Sequence, residues 1–295
     1  MSSTPSISLL GTGLMGTPMS RCLLKAGYSL TVWNRTQAKA QELVAAGASV
    51  ADSPVDAVRS ADVVITMLSD GSAVEETLFA SGAFDVIRPN TCVIDMSSIA
   101  PAEAITHGRR FIERGVRYLD APVSGGTIGA TNGELAIMVG GDPQTFDDMQ
   151  PVFEAMGRPT LVGPNGCGQL SKLANQVIVA VTIGAVSEAF ILAGAGGADR
   201  GKVREALQGG FAQSRILSEH GLRMVNRMFE PGGPSHLQLK DLRNAINAAE
   251  AMGVTLPITS LVRDLFQRMC ESGYGDLDHS GLLVFLEEVS KQDTQ

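Results

Sequence analysis

Cysteine, tryptophan and positive charge are all in short supply. The 295 residues hold four cysteines, one tryptophan, and 23 lysines and arginines against 31 aspartates and glutamates. Cys22, Cys92, Cys167 and Cys270 are widely spaced, with no C-x-x-C pair and no clustering with histidine. That argues against a disulfide framework and a zinc site, and for reduced thiols in a cytoplasmic protein. The four histidines, His107, His220, His236 and His279, are scattered without metal-ligand spacing, so no metal is expected. A net charge of −8 repels phosphate backbones and anionic lipid, so neither nucleic acid nor a membrane surface is an expected partner. Met1 to Pro5 carries no lysine or arginine, and a secretory leader is not expected. No G-x-S-x-G elbow marks a hydrolase.

What the chain does have is apolar bulk. It is 44% hydrophobic and 18% charged, enough for a sizeable core and too apolar for disorder. Its length suits one large domain or two smaller ones. The longest apolar stretch, Leu173–Ala195, has the length of a membrane span. Asn175, Gln176 and Glu188 interrupt it, and a buried helix is the expectation.

The first half alternates short apolar runs with amphipathic segments. Strands are expected at Ile7–Leu10, Ser29–Trp33, Val63–Leu68, Thr91–Met96, Val116–Ala121, Leu135–Val139 and Pro159–Val162. Helices are expected at Met15–Ala26, Gln37–Ala46, Ser72–Phe79, Pro101–Arg114 and Pro143–Met156. Such alternation gives βαβ units and a mostly parallel sheet. After the turn cluster Gly163-Pro164-Asn165-Gly166 the pattern becomes helical. Gln169–Gly194 predicts a single helix of about 26 residues, nearly 40 Å long. Further helices are expected near Lys202–Gln208, Leu217–Arg227, Leu237–Met252, Pro257–Glu271 and Ser280–Lys291. The expected fold is therefore an α/β Rossmann-type, doubly wound, mostly parallel sheet over residues 1–164. An all-α domain over 165–295 follows, joined by the long helix.

Gly11-Thr12-Gly13-Leu14-Met15-Gly16 fits G-x-G-x-x-G. It follows a strand and opens a helix, the context a dinucleotide-binding turn requires. The helix N-terminus then faces the pyrophosphate. The second strand ends in Trp33-Asn34-Arg35-Thr36. Neutral Asn34 stands where an NAD-binding chain usually has a carboxylate, and Arg35 suits a 2′-phosphate. NADP is the expected cofactor, with NAD possible. Ser124, Gly125 and Gly126 follow the fifth strand and could hold a carboxylate; a plain glycine-rich turn is the competing reading. Lys172, Asn175 and Gln176 share one face of the long helix. Polar groups on a buried helix need partners, which a substrate would provide.

The motifs GTGLMGTPM (Gly11–Met19), DMSSIAP (Asp95–Pro101), DAPVSGG (Asp120–Gly126), GQLSKLANQ (Gly168–Gln176), Lys240-Asp241 and Asp278-His279-Ser280 occur in that order. The chain resembles the β-hydroxyacid dehydrogenase family over nearly its whole length. Within that family DMSSIAP, DAPVSGG and KLANQVIVA lie nearest the tartronate semialdehyde reductases; 3-hydroxyisobutyrate dehydrogenases and other short semialdehyde or glyoxylate reductases come next. Imine reductases and a non-catalytic NADP-binding module are more distant alternatives. The resemblance implies Lys172 as catalytic residue and Ser124, Gly125 and Gly126 as substrate contacts, with Asn175 or Gln176 sharing that role. It also implies cofactor contacts from Met67, Leu68, Ser98 and Lys240, beside Leu14, Met15 and Thr36 around the two loops. Gly233 stands where several relatives carry an aromatic residue. The implied partner is a small semialdehyde or hydroxy acid. Because the long helix has more apolar surface than one core readily covers, a homodimer or homotetramer is expected.

Two further patterns fail on context. Asp276 through Glu287 fits the spacing of a calcium-binding loop, but Val284-Phe285-Leu286 make its second half apolar; Asp278 or Ser280 as a helix cap accounts for it better. Gly196 through Lys202 imitates a phosphate loop, yet Val203 replaces the required hydroxyl residue and no strand precedes it.

Overall fold

The computed structural model describes residues 4–292. The chain divides into two compact units between Lys172 and Leu173.

The first unit is built on nine strands among the described residues: β1 (Ile7–Leu10), β2 (Leu30–Trp33), β3 (Ser49–Val50), β4 (Val63–Thr66), β5 (Cys92–Asp95), β6 (Arg117–Asp120), β7 (Val123–Ser124), β8 (Leu135–Gly141) and β9 (Gly157–Gly163). Their order is β3-β2-β1-β4-β5-β6-β8-β7, with β9 paired to β8. The first six are parallel; β8 runs antiparallel to β6 and β7, and β9 parallel to β8. The order 3-2-1-4-5-6 is that of a dinucleotide-binding sheet.

Period-two alternation explains why both faces are covered. Leu9, Val32, Ile65, Ile94 and Leu119 enter one buried cluster; Leu10, Val64, Val93 and Tyr118 enter the other. Each fully buried aliphatic side chain contributes about 1.5–3 kcal/mol. Helices α1 (Gly16–Lys25), α2 (Gln37–Gln41), α3 (Pro54–Val58), α4 (Gly71–Val74), α5 (Ala83–Val86), α6 (Pro101–Ile112), α7 (Gly126–Asn132) and α8 (Pro143–Glu154) connect the strands. The segment expected as one helix over Ser72–Phe79 is α4 followed by a wider π-type turn, Glu75–Ala80. The helix expected over Gln37–Ala46 is α2 plus a short 3-10 turn, Val44–Ala46.

Helix α9 (Cys167–Ala195) starts two residues before the expected Gln169 and leads into the second unit. There it is joined by α10 (Arg200–Leu207), α11 (Arg215–Asn226), α12 (Ser235–Ala251), α13 (Pro257–Met269) and α14 (Leu282–Gln292). Ala180, Ile183 and Phe190 of α9 pack with Leu217, Met224, Leu242, Val262 and Phe266 in this unit's core. By length and hydropathy alone α9 could cross a membrane, and the burial expected of it is only partial: a third of its most apolar window (33%) is buried within the chain. Ile178 and Leu192 on it are strongly exposed, at 66% and 76%.

Candidate active site

Strand register decides where the functional loops meet. Leu10 pairs with Trp33 on one side and Thr66 on the other; Thr66 pairs with Asp95, and Asp95 with Asp120. Five parallel strands thus end level with one another. The segments after them, Gly11–Gly16, Asn34–Thr36, Met67–Leu68, Met96–Pro101 and Ala121–Gly126, all leave the same edge of the sheet. Ligands of open α/β sheets bind at that edge.

The glycines of the first loop have distinct spatial roles. Gly11 has φ +105°, and a Cβ there would lie 2.3 Å from the Met67 carbonyl oxygen; a Cβ on Gly16 would lie 1.8 Å from that of Gly11. Both positions are closed by the fold. A Cβ on Gly13 would meet nothing within 4 Å. The backbone at Gly13 is therefore bare on an open side, which fits close approach of a pyrophosphate, with α1 offering its N-terminal dipole beside it. The Thr12 N–H donates to Asn34 Oδ1 at 3.1 Å, and Asn34 Nδ2 donates to the Thr36 carbonyl at 3.0 Å. Asn34 thus ties the phosphate loop to the end of β2 while bringing no charge. Arg35 and Thr36 are exposed next to it. A groove of about 470 Å³ opens here, lined by Thr12, Gly13, Leu14, Arg21, Lys39 and Thr127 among others. Arg21 and Lys39 escape motif reading because neither belongs to a fingerprint; the signal for Lys39 is its place on α2, directly after Asn34-Arg35-Thr36.

The loop after β5 is fastened from beneath. Asp95 is fully buried and accepts from Thr66 Oγ1 (2.7 Å) and the Ser97 N–H (3.0 Å). Burial pushes its carboxyl above the ordinary range, against those hydrogen bonds. Ser97 Oγ accepts from the Leu68 N–H at 3.0 Å, so the Met67-Leu68 loop and the Ser98 loop are locked together. Ser124 ends the short β7, and Gly125 and Gly126 both take positive φ, +138° and +62°, a path that side chains resist.

Lys172 is half-buried in the second turn of α9. The start of this helix is set by Asp120, which accepts from the Gly166 N–H at 2.8 Å and the Gln169 N–H at 3.0 Å. Asn165 Nδ2 bonds the Tyr118 and Gly140 carbonyls, both at 3.2 Å. Gly168 has no room for a Cβ, which would lie 2.5 Å from the carbonyl oxygens of both Asp120 and Met138.

Burial raises the Asp120 carboxyl to about 6, over the opposing bonds from Gly166 and Gln169. Its folded-state pKa lies above the unfolded value, so between about pH 4 and 6 the folded form holds more protons. Its contribution to stability is therefore largest in acid and is lost as pH rises through 6. Urea unfolding of wild type and Asp120→Asn at pH 4 and pH 7 should show the wild type gaining on the variant by on the order of 2–3 kcal/mol at the lower pH. A pH-independent difference would contradict this.

In the second unit a chain of amides settles around Asn175 and Gln176. Asn175 Nδ2 donates to Gln176 Oε1 at 2.9 Å; Gln176 Nε2 donates to Asp241 Oδ2 at 2.8 Å and to Gln238 Oε1 at 3.3 Å. His279 Nδ1 lies 3.2 Å from the same Gln238 oxygen. Both ends of the Gln176 amide are engaged within the protein. Lys240 is half-buried with Nζ 3.5 Å from Asp241 Oδ1.

A family profile described as the NAD binding domain of 6-phosphogluconate dehydrogenase matches residues 6–179. A second, described as the NAD-binding region of NADP-dependent 3-hydroxyisobutyrate dehydrogenase, matches residues 166–286. The 2-hydroxy-3-oxopropionate reductase of Escherichia coli strain K12 is 44% identical over 95% of this chain and 97% of its own length. The chain belongs to the β-hydroxyacid dehydrogenase family.

This hydroxyacid dehydrogenase is also 40% identical to an NAD-dependent L-serine dehydrogenase of Pseudomonas aeruginosa, over 93% of this chain and 95% of that one. Its fold superimposes on a solved Mycobacterium tuberculosis 3-hydroxyisobutyrate dehydrogenase determined with L-serine, with a TM-score of 0.88 and 33% identity over 96% and 99% of the two chains. It is an oxidoreductase that uses a nicotinamide cofactor and acts on a small molecule.

One expectation changes. The histidines that look scattered in sequence are not all apart in the fold: single ligand-type atoms of His220, Asp278 and His279 lie within 4.8 Å of one another. The dehydrogenase uses this cluster internally. Asp278 Oδ2 accepts from the Gly232 and Gly233 N–H groups, each at 3.1 Å, and Oδ1 accepts from the Ser280 N–H and hydroxyl. Arg223 Nε stands 3.4 Å from Oδ1 and would repel a cation. Burial raises the Asp278 carboxyl, but His220, His279 and the Ser280 bonds outweigh it and hold the group below the ordinary carboxylate range. Asp278 caps the short turn His279–Gly281, as expected of it in place of a calcium ligand. His236 turns instead to the Gly275 carbonyl, at 3.1 Å.

Proposed function

We propose that this dehydrogenase reduces tartronate semialdehyde to D-glycerate with NADPH in the cytoplasm. Gly11–Gly16, Met67-Leu68, Ser98 and Lys240 would hold a nicotinamide dinucleotide, which would supply a hydride to the aldehyde carbon. Ser124 and the backbone of Gly125-Gly126 bind the substrate carboxylate. Lys172, as an ammonium, stabilises the negative charge growing on the carbonyl oxygen and hands it a proton; in the reverse direction it takes that proton back. Asn175 and Gln176 help hold the substrate. Preference for NADP over NAD rests on neutral Asn34 with Arg35 and Lys39 nearby, cations that favour a 2′-phosphate.

The observation that carries the substrate choice is the set of motifs DMSSIAP (Asp95–Pro101), DAPVSGG (Asp120–Gly126) and KLANQVIVA (Lys172–Ala180), which resemble those of tartronate semialdehyde reductases. Tartronate semialdehyde has a hydroxyl at the carbon where methylmalonate semialdehyde has a methyl. The 44% identity to the Escherichia coli reductase supports the same reading.

Steady-state kinetics with tartronate, methylmalonate and succinic semialdehydes and glyoxylate, each with NADPH and NADH, tests it. A kcat/KM at least tenfold higher for tartronate semialdehyde, about 1.4 kcal/mol at the transition state, is expected. A tenfold preference for methylmalonate semialdehyde would move the chain to 3-hydroxyisobutyrate chemistry. We also propose that a second copy of the chain covers the exposed apolar face of α9 and the neighbouring Ile258 and Leu261, 63% and 64% exposed. Light scattering should give at least a dimeric mass; a monomer at micromolar concentration would contradict it.

A further inference from the structure

Gln169 lies three residues before Lys172 on α9 and is 1% exposed. Its side chain leaves the helix and reaches the loop after β5. Oε1 accepts from the Ile99 N–H at 3.1 Å, and Nε2 donates to the Ser97 carbonyl at 2.8 Å. Those two peptide groups flank Ser98. One carboxamide therefore pairs with both neighbours of Ser98, much as a residue on an opposing strand would. The Gln169 backbone N–H is itself held by Asp120 Oδ2.

The bracket is chemically selective. It needs one donor and one acceptor side by side, which a carboxamide has. Methionine fills similar space but leaves a buried N–H and a buried carbonyl unpaired. An ionised glutamate turns a second acceptor toward the Ser97 carbonyl. A protonated glutamate restores the pattern, since its O–H can donate to Ser97 while its other oxygen accepts from Ile99.

We infer that Gln169 is a positioning residue that fixes Ser98, on the cofactor side, relative to Lys172, the proton donor one helical turn further on. The inference rests on the assignment of Lys172 above. Misplacing a reacting group by about 1 Å can cost about 100-fold in rate. Loss of the bracket therefore lowers turnover more than it lowers cofactor affinity.

Gln169→Met and Gln169→Glu in the full-length chain test this, with NADPH affinity read by nicotinamide fluorescence and turnover by NADPH oxidation with tartronate semialdehyde. For Gln169→Met, kcat should fall about 10- to 100-fold while the NADPH Kd stays within about threefold. For Gln169→Glu, the ratio of variant to wild-type kcat should rise at least fivefold as pH falls from 8 to 5.5. Asp95, Glu103, His107, Asp120 and Lys172 surround this loop and helix start in both proteins; because Asp120 itself titrates near 6 and holds the Gln169 N–H, the same ratio is read in an Asp120→Asn background, where the rise should persist. Should Gln169→Met not fold, the pH ratio of Gln169→Glu decides alone. Wild-type kcat in Gln169→Met, a flat pH ratio, or equal losses of affinity and turnover would each overturn the positioning role. A wild type that binds NADPH but reduces no semialdehyde would instead overturn the reduction reading, and this role with it.

Discussion

Replacing Lys172 with alanine should lower kcat by about 10²- to 10⁴-fold while the NADPH Kd changes by no more than about threefold. The range is what a positioned proton donor contributes. The reason affinity survives is structural. The helix start that carries Lys172 is fixed by backbone bonds to Asp120 and by the Asn165 and Gln169 side chains, none of which involves the lysine amine. Truncation removes the ammonium and leaves the helix in place. Lys172→Arg separates charge from proton transfer: a guanidinium remains charged but cannot release its proton at working pH. The arginine variant should bind substrate better than the alanine variant and still turn over poorly. Near wild-type turnover in Lys172→Ala, with cofactor bound, would remove the lysine from the chemistry.

Gly13→Val should leave the fold intact and raise the NADPH Kd at least 100-fold, about 2.7 kcal/mol. A Cβ there points into space that is open within 4 Å. The fold leaves room for that Cβ, and Tm should move by less than about 2 °C. On the proposed cofactor placement the backbone here meets the pyrophosphate, so the branched side chain would displace the ligand. Gly16→Ala is the contrasting control. Its Cβ would sit 1.8 Å from the Gly11 carbonyl oxygen, so that change acts through the fold before it acts on binding. Thermal melts together with fluorescence titration separate the two. A Gly13→Val protein that binds NADPH normally would place the cofactor elsewhere.

The parallel sheet was readable because its strands are buried on both faces and end at recognisable turns. Ile7–Leu10, Val63–Thr66 and Cys92–Asp95 are unbroken apolar runs or nearly so. The strands β3 and β7 were not readable: with two residues each, Ser49–Val50 and Val123–Ser124, they carry no period. Helix α7 hides in Gly126–Asn132, whose glycines, threonines and asparagine read locally as a turn. The same limit applies at the candidate site. G-x-G-x-x-G and Asn34-Arg35 announce themselves through spacing, and Lys172 through the family resemblance that GQLSKLANQ carries. Gln169 does not, because its partners Ser97 and Ile99 lie about 70 residues away and meet it through backbone atoms that any sequence has. Asn175 and Gln176 are equal candidates by spacing, and the fold bonds the two amides to each other. Likewise, only the fold brings His220 to Asp278 and His279.

Transfer of label decides whether this chain carries hydride to a semialdehyde. The dehydrogenase would be mixed with tartronate semialdehyde and NADPH deuterated at both C4 positions, and the product read by mass spectrometry. One deuterium on C3 of glycerate is the expected result, and its rate of appearance should collapse in Lys172→Ala. Bound NADPH with no labelled glycerate, or label arriving equally fast without Lys172, would contradict the proposed reaction.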